Sequence, residues 1–182
     1  MQAESCEKIM GSSYAYPILE TSDVGEVFRT AQRLLALSED RHYTVVEGRA
    51  RATTKDEVER LAAAVPDSSC YLSEEPPLTL EVPEETRAGT FEEEFVQAAQ
   101  GVAAWLRWDV GAWPAGPFGY RDTEYSGVQL ALNSRELSFE PPPMGAGQHM
   151  LYVCVGKSDR ERAQWLAEQV GLHVLGEPVQ SL

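Results

Sequence analysis

Gly156-Lys157-Ser158 follows the apolar run Met150–Val155 and precedes a segment of helical period. A phosphate-binding loop requires that order of strand, Gly-Lys-Ser and helix, but its motif also needs a glycine at position 151, where Leu151 stands. Without that glycine no arc of backbone N–H groups wraps a phosphate, so the turn reads as a helix start and nucleotide hydrolysis is excluded. The histidines His42, His149 and His173 match neither H-x-H nor H-E-x-x-H spacing, and Cys6, Cys70 and Cys154 form no C-x-x-C pair. These patterns offer no metal cluster and no disulfide framework. No G-x-S-x-G elbow supplies an acyl-transfer nucleophile. No catalytic residue, metal or cofactor is therefore expected.

Two segments stand above this background. Ser73–Glu94 holds eight glutamates against Arg87 alone, a charge of −7 and half of the whole chain's −14. Glu92, Glu93 and Glu94 fit the first turn of a helix, where the dipole favours acids, and Glu81 fits a wet strand face. Glu74, Glu75, Glu84 and Glu85 have no such structural reason and flank an apolar strand, Leu78–Val82, at both ends. Local acid density of this kind steers a basic partner. The second segment, 105–125, carries Trp105, Trp108 and Trp113, followed by Phe118, Tyr120 and Tyr125, among prolines and glycines. It reads as an aromatic loop, either a lid with its rings folded inward or an interface, because Trp and Tyr dominate hot spots.

The remaining composition is that of an ordinary globular chain, 43% hydrophobic and 24% charged over 182 residues, with no apolar run long enough to span a membrane. An acidic surface repels nucleic acid and anionic membrane. The acidic N-terminus lacks the order of a signal peptide, which makes the cytoplasm the expected location. We therefore expect a non-enzymatic acidic protein that engages a basic protein partner. Its binding residues would be Glu74, Glu75, Glu84, Glu85, Trp108, Trp113, Phe118 and Tyr120, and an immunity protein or inhibitor would be the most specific member of the class. The alternative is a small-molecule enzyme or sensor with a pocket under the loop 105–125, using Arg121, Asp122 or His149.

The elements that would position these residues follow from period and caps. After an N-terminal arm at 1–20, Asp23 and Glu26 open a helix whose inner face is Val24, Val27, Phe28, Ala31, Leu34 and Leu35. A strand over His42–Arg51 precedes a Thr54–Glu57 capping box and a second helix. A Thr90–Glu93 box opens a third helix with Phe91, Phe95, Ala98, Val102 and Leu106 inward. Val128–Leu132 and Leu137–Phe139 form a hairpin. The closing unit comprises strand Met150–Val155, a Ser158–Glu161 capping box, a helix ended by Gly171, and a short strand His173–Leu175. Interleaved strands and helices with one hairpin predict a single α+β domain over 21–182. We expect a two-layer sandwich with a mixed, mostly antiparallel sheet and about four helices.

Overall fold

The computed structural model describes residues 13–39, 44–65, 69–71, 77–83, 86–124, 126–134, 147–156 and 159–181. The fold is α+β. Among the described residues there are nine strands: β1 (Ser13–Thr21), β2 (Val45–Ala52), β3 (Ser69–Tyr71), β4 (Leu78–Glu81), β5 (Thr86–Arg87), β6 (Ala103–Asp109), β7 (Gly127–Leu132), β8 (His149–Gly156) and β9 (Val179–Gln180). They form one sheet in the order β3-β4-β2-β6-β7-β8-β1-β9, with β5 also paired to β2. Every pairing among the described residues is antiparallel, where a mixed sheet was expected.

Alternation decides which side chains reach the core. Val46, Ala50, Leu106, Trp108, Val128, Leu130, Leu151, Val153 and Tyr16 share one buried cluster with Val27, Ala31, Leu34, Leu61, Phe95 and Leu166 of the helices. A smaller cluster of Ala15, Ala131, Met150, Tyr152 and Cys154 lies on alternate positions of β1, β7 and β8. Both faces of β7 and β8 are thus buried, including Gln129. The return arm of the expected hairpin, Leu137–Phe139, lies outside the described residues.

The last eight residues of the expected N-terminal arm belong to β1. Proline has no N–H for a ladder, and β1 accommodates Pro17 at a register shift against β8 between Pro17 and Leu19. Helix α1 (Val24–Leu35) is capped by Asp23, whose side chain accepts from Glu26 N–H at 3.0 Å. Helix α2 (Lys55–Ala64) starts at the reciprocal Thr54–Glu57 box read from sequence. Helix α4 (Arg160–Gln169) starts one residue later than that reading: its cap is Asp159, which accepts from Arg162 N–H at 3.1 Å. His173–Leu175 is not a strand. Its backbone bonds go to Gln164 Oε1 and Pro17 O, and the final strand β9 pairs instead with β1.

Helix α3 (Glu92–Ala98) departs most from expectation. It ends at Ala98, and Gly101 takes a left-handed φ of 76° that suits glycine and lets the chain turn into β6. Val102 and Leu106 are therefore not its inner face; Leu106 faces the core from β6. No Thr90–Glu93 box forms. Instead Glu92 is buried, and its carboxylate accepts from Gly89 N–H (2.6 Å), Thr90 N–H (2.9 Å), Phe91 N–H (3.1 Å) and Trp108 Nε1–H (3.2 Å). One side chain thus ties the helix start to the central strand β6.

Deleting that carboxylate leaves buried donors unpaired. Glu92→Ala should lower stability by about 2–4 kcal/mol, whereas Glu93→Ala and Glu94→Ala should stay within about 0.5 kcal/mol. Urea denaturation of the three variants checks this; equal losses at all three would mean that only the helix dipole is served.

Candidate functional site

The aromatic segment is not a single loop. Trp105 and Trp108 belong to β6, and the loop proper follows from Val110. Trp113 and Asp122 close it through a pair of backbone hydrogen bonds of 2.8 and 3.2 Å. Trp113 is fully buried, with Nε1–H donating to Cys154 O at 2.7 Å. Asp122 accepts from Gly156 N–H at 3.1 Å and from Glu124 N–H at 3.2 Å. The sequence gives no local hint of what holds the middle of the loop, because that residue comes from α4. Arg162 has no exposed surface. Its guanidinium donates to Pro114 O (2.8 Å) and Tyr120 O (2.9 Å), pairs with Asp159 (3.2 Å), and lies 4.6 and 4.8 Å from the ring centroids of Phe118 and Tyr120. Phe118 meets Trp165 edge-on at 6.2 Å. A Cβ at Gly116 would stand 2.8 Å from the Trp165 ring, so glycine lets the loop close down on α4.

The loop is therefore a lid packed on its own scaffold. Of its expected binding residues, Trp108 and Trp113 are fully enclosed, Phe118 is half-buried and Tyr120 is 60% exposed. The space beneath the loop is filled by Trp113 and Arg162. A depression bordered by Tyr120, Arg121, Asp122 and Glu124 lies beside it.

Lysine carries one ammonium in place of a planar fork, so it cannot serve two carbonyls while stacked between two rings. Arg162→Lys should cost about 2–4 kcal/mol of stability and open the loop. Limited proteolysis should then cut within residues 114–121 severalfold faster than in the parent chain. An unchanged cleavage rate would place the loop's anchor elsewhere.

The acidic segment divides differently. Glu74, Glu75, Glu84 and Glu85 lie outside the described residues. Glu81 pairs with Arg49 at 2.6 Å, and Glu92 is the buried cap described above. Glu93 and Glu94 are exposed on α3 and border two surface depressions, one reaching Phe28, Gln32 and Phe91, the other reaching Arg60, Gln97 and Ala98. Arg60 is held there by hydrogen bonds to Ala98 O (2.7 Å) and Gln100 O (2.9 Å).

A third region received little weight from sequence. At the start of β8, a partly open cavity of about 320 Å³ is lined by Val24, Val96, Ala99, Leu132, Asn133 and His149, with Ser22, Gln97 and Gln100 also at its wall. His149 is only 5% exposed, and its Nδ1 accepts from Asn133 N–H at 3.1 Å. Asn133 has a left-handed φ of 53°, strained for a residue with a Cβ, and its amide donates to Ala99 O (2.9 Å) and Val102 O (2.7 Å). Burial lowers the His149 pKa below the ordinary histidine value, against an opposing effect of the Asp23 carboxylate. This histidine was expected near the aromatic loop; it lies at the other end of β8, roughly 23 Å along the strand. His173 is exposed, and His42 lies outside the described residues.

Among the described residues, no group of three or more His, Cys, Asp and Glu side chains is placed to hold a metal ion. Cys154 is buried, and desolvation pushes its thiol pKa up to about 12, so it behaves as a core residue. No described helix is long and apolar enough to cross a membrane. The chain matches no protein-family model, no curated protein and no solved structure.

A depressed histidine pKa means that the unfolded chain binds a proton first as pH falls. The stability held by neutral His149 is thus full above about pH 6.5 and is lost as pH drops through the lower folded value. Comparing urea midpoints at pH 8 and pH 5.5, His149→Asn should reduce the acid-induced loss relative to the parent. An identical loss in both chains would show that His149 does not titrate between the folded and unfolded states.

Proposed function

We propose that this protein is a non-catalytic binding protein that presents an acidic surface, centred on the start of α3, to a basic protein partner. The observation carrying this reading is the contrast among three successive glutamates. Glu92 is buried as a structural cap, whereas Glu93 and Glu94 stand exposed at the rims of two depressions. Only the first of the three is needed to start the helix. The other two place exposed charge beside half-buried Phe28, an arrangement of a small apolar contact with a charged rim that suits protein recognition.

The wider charge distribution supports the same reading. The chain carries 29 acids against 15 lysines and arginines. Several of those cations face acids of the chain itself: Arg49 with Glu81, Arg107 with Asp109, Arg121 with Glu39, Arg160 with Glu177 and Arg162 with Asp159. Such a surface attracts cationic partners over a Debye length and speeds their association. An inhibitor or immunity protein that covers a cationic site belongs to this class, and it needs a complementary surface rather than a catalytic group.

The test begins with capture from native lysate at low and at high salt, followed by purification of the retained protein. Glu93→Lys with Glu94→Lys should slow its association roughly tenfold and flatten the salt dependence, within the range that steering supplies. Unchanged association kinetics in the double variant would overturn the role of α3.

A further inference from the structure

The cavity at the start of β8 has features that a structural histidine does not need. In a neutral imidazole one nitrogen accepts and the other carries the proton. Because Nδ1 accepts from Asn133 N–H, the proton resides on Nε2. The ring lines the cavity at 5% exposure, and no acceptor among the described residues is bonded to Nε2. Nδ1 is turned to the backbone just after β7, which leaves Nε2 as the unbonded nitrogen of a ring that lines the cavity.

We propose that this cavity binds a compact, uncharged molecule with an apolar body and a carbonyl or hydroxyl oxygen that accepts a hydrogen bond from His149 Nε2–H. Three observations define that chemistry. Val24, Val96, Ala99 and Leu132 form an apolar wall, which calls for an apolar body. Among the described residues no lysine or arginine lines the cavity, and the Asp23 carboxylate acts on His149 from the α1 cap, which disfavours an anion. At about 320 Å³ the space is roughly twice that of a 150 Å³ cavity that holds benzene, and it lies at the small end of ligand pockets.

The surrounding backbone is set for this purpose before any ligand arrives. Asn133 holds its strained φ of 53° through two bonds to the chain between α3 and β6, and its own N–H fixes the histidine ring. Strain stabilised from both sides in this way recurs at ligand sites, where it keeps a donor aimed without reorganisation. The site is independent of Glu93 and Glu94, which do not line the cavity.

The test uses the full chain labelled with ¹⁵N and ¹³C and four probes: benzamide, acetophenone, toluene and benzoate. Benzamide and acetophenone should give saturable shifts at the His149 ring nitrogens and at the methyls of Val24, Val96 and Leu132. Toluene should bind about tenfold more weakly, the worth of one hydrogen bond, and benzoate should not bind. His149→Asn retains an oxygen acceptor for Asn133 N–H but removes Nε2, and should bring benzamide down to the affinity of toluene. Val24→Phe, at the half-buried first position of α1, fills the cavity and should abolish binding of every probe without touching the histidine. The proposal is overturned if no neutral probe shifts these residues, if benzoate binds as well as benzamide, or if the affinity for benzamide survives His149→Asn or Val24→Phe in a folded chain.

Discussion

Because β8 is buried on both faces, water cannot satisfy the polar groups of its backbone, and the whole strand must find partners within the protein. Along most of its length β1 and β7 supply them. At the ends the ladder needs help from side chains, and the two ends solve the problem differently. At Cys154 and Gly156 the loop after β6 reaches across: the Trp113 indole donates to Cys154 O, and the Asp122 carboxylate accepts from Gly156 N–H. At His149 the strand's own imidazole reaches back to Asn133 N–H, where β7 has already turned away. The first solution closes space with aromatic rings and the second leaves a cavity.

Glu92 and Arg162 are among the ions buried in the process, and both are held mainly by backbone dipoles. Glu92 is surrounded by three N–H groups of the segment before α3 and by an indole N–H. Arg162 donates to two carbonyls of the lid and has Asp159 as its charged neighbour. A buried charge without such partners would be neutralised or expelled. Each ion therefore makes a loop conformation obligatory: residues 89–91 must converge on Glu92, and residues 114–120 must wrap Arg162. These side chains shape the surface indirectly, by deciding where Glu93, Glu94 and Tyr120 stand.

Local signals in the sequence were legible where chain neighbours supply the interaction. The Asp23 cap, the Thr54–Glu57 box, the stripe of α1 and the apolar run of β8 all depend on residues within four positions of one another. The same reasoning misplaced the Thr90–Glu93 box, because the donors before α3 turn to Glu92, whose carboxylate also receives Trp108 from another element. It extended α3 to Leu106 because Ala98, Val102 and Leu106 keep a helical spacing by coincidence. Gly101 breaks that helix, and Ala104, Leu106 and Trp108 then follow the two-residue period of a strand. Arg162 and His149 were the least legible. Their meaning comes from partners 42 and 16 positions away, a separation that periodicity cannot carry.

This redistribution changes what the aromatic and acidic residues mean. A cluster of tryptophans invites an interface reading only while its rings have nowhere else to go. Here Trp108 supports Glu92, Trp113 completes the ladder of β8, and Phe118 packs on Trp165. Once those rings are assigned to the interior, the exposed chemistry that remains is mostly charge, and a partly open cavity remains beside His149. The two are separate by construction. The acidic helix start lies at the Glu92 end of α3, while the cavity meets the same helix at Val96 and Gln97, near its other end. A short helix pinned by a buried carboxylate at its start, and by Arg60 and Asn133 where it ends, thus forms part of both regions.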